Sequence, residues 1–449
     1  MKKVFLLLMV AALPIWLSAS DHVMDATKGV QRDNLPSTEE GKILNLSLKE
    51  AQDYAVKQNR SLHNASLAVQ EAYAQRWQTI AAMLPSVDAG YTYSDYLGYK
   101  AELTMGGMPV TIPMPNVGAF TVTAAVGING QGVVGALLNN IAIDMKKISL
   151  EQSESELRGN VLSSYVSVLA LQSISDLLDS SLVNIEQLLL MTQSAVDAGA
   201  AEQTTADQIK VRANAIKNNI TTQRNAIELA KSALKVLLDV PVHTQIELTD
   251  NLEGVLSGER VLGLLGEDFK IENNLNYQML SKNVQLAKRN VHMAGWAYGP
   301  TVSLAYNYTD QKYYGDGGMR MTPPNLVQLS VKMPLWSSGK RAAGVVEKKI
   351  ALEQAKNTLS ETGDQLEIQY QQLRNNLTSA YETYLNERDN IIVTKRVFAS
   401  ATEKFRYGTS SSLELTNASN DLISAQSTYV QAMLSLVNAQ VELEKFLNN

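Results

Sequence analysis

Slid along itself by 215 residues, the chain meets its own pattern without a gap. Asn59 falls on Asn274, Ser66 on Ser281, Val69-Gln70 on Val284-Gln285, and Ala72 on Ala287. The match runs on through Ala82 and Ala297, Pro85 and Pro300, Val87 and Val302, Tyr91 and Tyr306, Tyr93 and Tyr308, and Asp95 and Asp310. Self-similarity at a fixed period marks a repeated architecture before any local reading. Both copies also keep one boundary, a helical pattern that stops at a proline and gives way to alternation. At an offset of 209, Gly199 falls on Gly408 with the same apolar spacing behind each glycine. The chain therefore reads as an internal duplication, 46–241 and 262–449. A polar N-terminal arm (21–45) and a connector (242–261) stand outside it.

Each half reads as helix, strand, loop, strand, long helix, turn, helix. No proline occurs between Pro115 and Pro241, or after Pro334. Interior proline costs about 3 kcal/mol in a helix, so these gaps allow very long helices. Gly199 and Gly408 each punctuate a gap once, as C-terminal glycines do. In the last helix Leu415, Ala418, Leu422, Ala425, Tyr429, Ala432, Leu436, Ala439, Leu443 and Phe446 recur at alternating steps of three and four, a coiled-coil seam. Ile209 to Leu237 repeats the spacing with one polar lapse at Gln223, and Leu150 to Leu189 shows it again. A helix over 134–198 would be roughly 98 Å long. Its counterpart, 340–406, would be similar, and the flanking helices 47–83 and 204–239 about half that.

Four segments alternate with period two: 86–95, 119–129, 301–309 and 326–335. Each is about ten residues, the length of a transmembrane strand. Tyr96, Tyr99, Tyr313 and Tyr314 cluster at or beyond strand ends, as in an interfacial aromatic belt. A soluble half-buried sheet packed on the helices is the competing reading. Four strands cannot close a barrel, and an open edge in lipid leaves backbone groups unpaired at several kcal/mol each. Two chains would make eight strands, whose interior is filled by side chains. Three chains make twelve, the smallest set with an open pore.

The N-terminus and the polar second face of the strands weigh against the soluble sheet. Residues 1–20 form a secretory signal, with Lys2 and Lys3, an apolar run from Val4 to Leu17 broken at Pro14, and Ser18-Ala19-Ser20 before the cut. That run is too short to span, which takes about 20 residues. No second run of 18 apolar residues occurs, so the mature chain should carry no transmembrane helix and must cross any membrane by strands.

Composition narrows the chemistry. A formal charge of -6 offers no basic stripe for nucleic acid. The absence of cysteine removes disulfides, thiolate chemistry and a lipidated N-terminal Cys. The four histidines, His22, His63, His243 and His292, have no metal-ligand spacing, and no HExxH, P-loop or GxSxG pattern occurs. No cofactor, metal or enzymatic activity is expected. Met105, Met108, Met114, Met319 and Met321 could offer thioethers to Cu(I), but flexible loop filling suits them better.

Taken in order, the pieces resemble the TolC-like outer-membrane efflux family over about 46–449. The carriers are "LPSVDAGYTYS" and its partner "GPTVSLAYNYT", the run "VKMPLWSSGKRAAG" with Met333-Pro334-Leu335-Trp336 where a strand ends and the long helix begins, and "YGTSSSLEL". The first half departs from this, because Ile128-Asn129-Gly130-Gln131 lacks the proline. The resemblance implies a mainly α fold with membrane β. It would be a homotrimer sharing a twelve-stranded barrel, continued by a long α-helical coiled-coil barrel into the periplasm. It implies an outer-membrane exit duct, in contact with lipid, that docks on a periplasmic adaptor (membrane fusion protein) and an inner-membrane transporter. The hairpin tips that would meet the adaptor are Gly199, Ala200, Gly408, Thr409 and Ser410. The periplasmic entrance would be lined by Glu414, Asn417 and Asp207. Asn417 stands where relatives carry a second acid, and Ser410 where they carry a base. A type I protein secretion duct is the alternative within the family. A periplasmic coiled-coil adaptor and an exported enzyme are the alternatives outside it.

Overall fold

The computed structural model describes residues 43–105, 108–199, 201–255, 258–314 and 323–447. The signal peptide, the arm up to residue 42, Ala200, Met319 and Met321 lie outside them. The elements run β1 (Leu44–Leu46), α1 (Leu48–Gln58), α2 (Arg60–Ala81), β2 (Ser86–Ser94), β3 (Lys100–Met105), β4 (Met108–Pro113), β5 (Asn116–Asn129), α3 (Gly130–Asp197) and α4 (Gln203–Leu237). Then come β6 (Ile246–Leu248), α5 (Leu252–Val255), α6 (Gly258–Gly266), α7 (Leu275–Gly295), β7 (Thr301–Tyr314), β8 (Asn325–Lys332), α8 (Lys340–Arg406) and α9 (Ser412–Leu447). The described residues divide into two compact units, 68–147 with 280–359, and 43–67 with 148–279 and 360–447.

The first unit carries a four-stranded antiparallel sheet in the order β2-β5-β7-β8. β5 and β7 pair over their full length, Asn116↔Tyr314 to Asn129↔Thr301, so the sheet joins the two halves of the chain at its centre. All four expected strands are present. The last stops at Lys332 rather than 335, because Pro334 has no N–H to give a ladder. The segment 96–115, expected to be a loop, forms a separate hairpin, β3 with β4, paired from Lys100↔Pro113 to Met105↔Met108. Its two prolines and Gly106-Gly107 hid the alternation.

The second unit is helical and holds the apolar core. One cluster gathers Val161, Leu162, Tyr165, Leu234, Leu377, Leu436 and Leu443 with α1 residues Ala51 and Ala55. A second gathers Ile185, Leu188, Ile209, Ala213, Ile216, Phe398, Leu415, Ala418 and Leu422 from α3, α4, α8 and α9. Most of the heptad seam is buried: Leu415, Ala418, Leu422, Ala432, Leu436, Ala439, Leu443 and Phe446 are in the core, while Ala425 and Tyr429 are half-buried. Each fully buried leucine contributes about 1.5–3 kcal/mol. α3 does pass a length-and-hydropathy test for a membrane span, with an 18-residue window of mean hydropathy 1.4. Its serines and threonines break the apolar run without lowering that mean much. In the second unit its Val161, Leu162, Tyr165, Val166, Leu169 and Ala170 lie in the first cluster, while Val183 and Leu190 stay exposed.

The expected helix 47–83 is two helices. α1 opens on a capping box, Ser47 with Glu50, and stops at Asn59 (φ -64, ψ 126). Asn59 Oδ1 then accepts from Ser61 and Leu62 N–H at 2.9 and 3.2 Å, capping α2. Asn274 does the same for α7, accepting from Asn276 and Tyr277 N–H at 3.1 Å each. The repeat-matched asparagines are thus the same N-cap. The connector is not plain linker. β6 pairs in parallel with β1, and Tyr165 Oη lies 2.9 Å from both the Leu46 carbonyl and the Asp250 carboxylate beside that pair. Asp250 also accepts from Leu48 N–H at 2.7 Å.

Candidate functional site

Register decides what the sheet can do. Side chains alternate faces along a strand, and paired residues share a face. The pairings put Val87, Ala124, Tyr306 and Val327 in one row across all four strands. Adjacent rows on that face are Val126, Leu304 and Leu329, then Ile128, Val302 and Val331, and on the other side Ala89, Val122 and Tyr308. Tyr91, Phe120 and Asp310 follow, then Tyr93, Gly118 and Lys312. The face is apolar up to Asp310 and Lys312 except for Asn325, which pairs with Tyr308 and accepts from Tyr306 Oη at 2.7 Å. The opposite face carries Asp88, Thr123 and Asn307 with Leu326 in one row, and Thr92, Ala119 and Gln311 in another. On it, Thr123 Oγ1 donates to Asn307 Oδ1 at 2.8 Å.

Four alternations read separately along the sequence thus come into phase, apolar on one side and polar on the other. The apolar side is bare: Val327 is 67% and Leu329 68% exposed, and Val87, Tyr91, Leu304, Val331 and Ile128 are exposed too. A sheet packed on this chain's own helices would bury this face; among the described residues nothing covers it. From Val302 to Asp310 is about 27 Å along the strand, or about 20 Å of depth at a typical tilt. Tyr93 and Tyr314 meet edge to face at 5.9 Å at the Asp310 end. Among the described residues both sheet edges, β2 and β8, are open.

The hairpin tips lie in the other unit. Gly199 (φ 73°) ends α3 and Gly408 (φ 72°) ends α8, a backbone region where side chains are strained. At the second tip Gly408 N–H donates to Phe405 O and Thr409 N–H to Lys404 O, both at 2.9 Å, a Schellman closure. The two hairpins pack together through the cluster around Ile209 and Leu415, and Arg212 Nη1 reaches the Thr416 carbonyl at 3.5 Å. The tip glycines thus sit on neighbouring hairpins of one four-helix packing.

Glu414 stands in the first turn of α9. Ser411 Oγ accepts from its N–H at 3.2 Å, as an N-cap. Its carboxylate accepts from Ser410 Oγ at 2.8 Å and lies 3.9 Å from Lys404 Nζ, and the side chain stays half exposed. Glu414, Asn417 and Lys404 line one groove of about 580 Å³ between α8 and α9, together with Asp421. Asp421 was not anticipated, though its place seven residues after Glu414 puts it on the same helix face. Asp207 lies outside this groove, exposed on α4, where its carboxylate accepts from Gln203 Nε2 at 3.1 Å. Among the described residues no cluster of His, Asp and Glu could hold a metal ion.

Residues 270–449 match the sequence pattern of the family described as "Outer membrane efflux protein". Curated protein sequences give no match. Solved structures share the fold. The outer membrane protein VceC of Vibrio cholerae superposes with a TM-score of 0.71 at 13% identity, over 90% of this chain and 96% of that one. The CmeC outer membrane channel of Campylobacter jejuni gives 0.68 at 14%, over 89% and 85%. The MtrE outer membrane channel of Neisseria gonorrhoeae, in its open state, gives 0.68 at 16%, over 90% and 89%.

Proposed function

We propose, from the premise that the chain belongs through residues 270–449 to the outer membrane efflux protein family, that it is the exit duct of a tripartite efflux system. The outer membrane is the compartment of that family. Three chains close one barrel, each giving four strands, β8 of one copy pairing with β2 of the next. The helices continue the duct as a coiled-coil barrel into the periplasm. The tips at Gly199 and Gly408 meet a periplasmic adaptor, which joins the duct to an inner-membrane transporter. The two halves of each chain descend from one duplicated unit.

One observation carries this reading: the sheet has a bare apolar face, a polar face and two open edges. In lipid the apolar face needs no protein cover, while the open edges demand partners, because an unpaired backbone group there costs several kcal/mol. The shared N-cap role of Asn59 and Asn274 supports the duplication. Light scattering on detergent-solubilised protein should give the protein mass of three chains, and that species should conduct in planar bilayers. A stable monomer that keeps its strand content overturns the shared barrel.

A further inference from the structure

At the 215-residue offset α7 matches α2, yet the two helices carry different chemistry on the matched face. On α7, Gln285, Lys288, Arg289 and His292 recur at steps of three, four and seven, one stripe of the helix. Their counterparts on α2 are Gln70, Tyr73, Ala74 and Trp77, with no charge among them, and Lys147 Nζ lies over the Tyr73 ring at 5.8 Å from its centre. A helix at this place therefore folds without cations on that stripe.

The α7 stripe lines a groove of about 540 Å³ whose other wall is Leu137, Asn140 and Ile141 of α3. Lys288, Arg289, His292 and Leu137 are exposed, and Ile141 is half-buried. No carboxylate lines the groove. α7 has no Asp or Glu at all, and Asp144, the only acid on α3 before Glu151, is held by Lys282 at 2.7 Å just beyond one end. Among the described residues, then, two adjacent cations stand beside an apolar wall with their charge unanswered.

We propose that this groove binds an amphipathic anion, a phosphate or carboxylate head on a short apolar body. The head lies across Lys288 and Arg289, where a guanidinium fork and an ammonium suit paired oxygens, and the amides of Gln285 and Asn140 stand beside it. The body lies along Leu137 and Ile141. A groove of this volume takes a small molecule. It sits about 10–17 Å along α3 from the end of β5, within reach of a phospholipid headgroup as well as of a free solute.

The test uses the full-length protein in phosphatidylcholine nanodiscs, titrated in a calorimeter with empty discs subtracted. Hexyl phosphate should bind saturably, inorganic phosphate at least about tenfold more weakly for want of the apolar body, and hexanol not at all. K288Q/R289Q should weaken hexyl phosphate at least about tenfold, because the charged hydrogen bonds are gone. K395Q/R396Q, the same two residue types exposed on α8, should leave it unchanged. Discs that also contain phosphatidylglycerol identify the source: hexyl phosphate shut out there makes the occupant a lipid, and undiminished uptake makes it a free solute. Equal binding by wild type and K288Q/R289Q overturns the site. So does a wild type that takes up no hexyl phosphate while K288Q/R289Q loses assembled mass, since the cations then pair with a neighbouring copy.

Discussion

Leu304→Arg and Ser303→Arg place the same charge on adjacent residues of β7, and so on opposite faces of the sheet. Leu304 lies in the row Val126–Leu304–Leu329, next to the row of Tyr306. The apolar face runs from Val302 to Asp310, so Tyr306 is its middle. Leu304 is therefore about 7 Å along the strand and about 5 Å in depth from the centre of a band roughly 20 Å deep. Arginine on a lipid face costs about 2–4 kcal/mol at the midplane and about 0–1 near the interfaces. Halfway out, the cost is about 1–3 kcal/mol per chain, or about 3–9 kcal/mol for the three chains of the proposed barrel.

That sum rivals the about 5–15 kcal/mol by which proteins hold their folded state. Leu304→Arg should thus deplete assembled, heat-modifiable trimer from the outer-membrane fraction. Ser303 lies in the row with Gly127 and Ser330, on the polar face, where Arg meets water and should shift stability by no more than about 0.5 kcal/mol. The readout is the assembled fraction on semi-native gels across a temperature series. Equal assembly of the two variants, high or low, refutes the facing assigned from the register.

Three other outcomes follow from named contacts. Glu414→Lys should reverse, and Glu414→Ala weaken, any cation preference in planar-bilayer conductance, with Glu414→Gln between them and trimer mass unchanged; unaltered selectivity in all three leaves Glu414 only a helix-start acid. Tyr165→Phe should cost about 1–3 kcal/mol in urea unfolding, by leaving Leu46 O and Asp250 with a lost partner. Burial, with the Asp250 carboxylate beside it, pushes the Tyr165 hydroxyl above its ordinary value; below about pH 10 folded and unfolded chains both hold the proton, and above it only the unfolded chain ionises, so stability falls as pH rises, less steeply in Tyr165→Phe. Asn59→Ala and Asn274→Ala should each cost about 0.5–2 kcal/mol and by similar amounts, read as midpoint shifts in thermal unfolding, because each removes the same cap.

What the sequence made legible was whatever repeats with a short period. The seam from Leu415 to Phe446 and the alternation in 301–309 are local signals, and the core and the sheet obey them. The bounds of α8, 340–406, were readable because a cation pair after Gly339 and a glycine at 408 bracket an unbroken pattern. The break at Asn59 was not, since Gln58-Asn59-Arg60 interrupts no apolar period and only the backbone torsion of one residue separates α1 from α2. β1 and β6 were missed for a related reason. Three residues give no period, and a parallel pair between Leu44–Leu46 and Ile246–Leu248 is a tertiary event.

The phase of the four strands is of the same tertiary kind, and it carries most of the functional weight. Each alternation alone allows either face to be apolar relative to its neighbours, because a one-residue slip reverses every side chain. The full-length pairing of β5 with β7 removes that freedom. Once Ala124 meets Tyr306, the faces of both halves are locked together, and Val87 and Val327 are carried to the same side by the outer pairs. The duplicated sequence therefore yields one amphipathic surface only through the contact between its two copies. A slip in that central pair alone would turn one half's apolar residues toward the polar side and leave the sheet fit for neither lipid nor water.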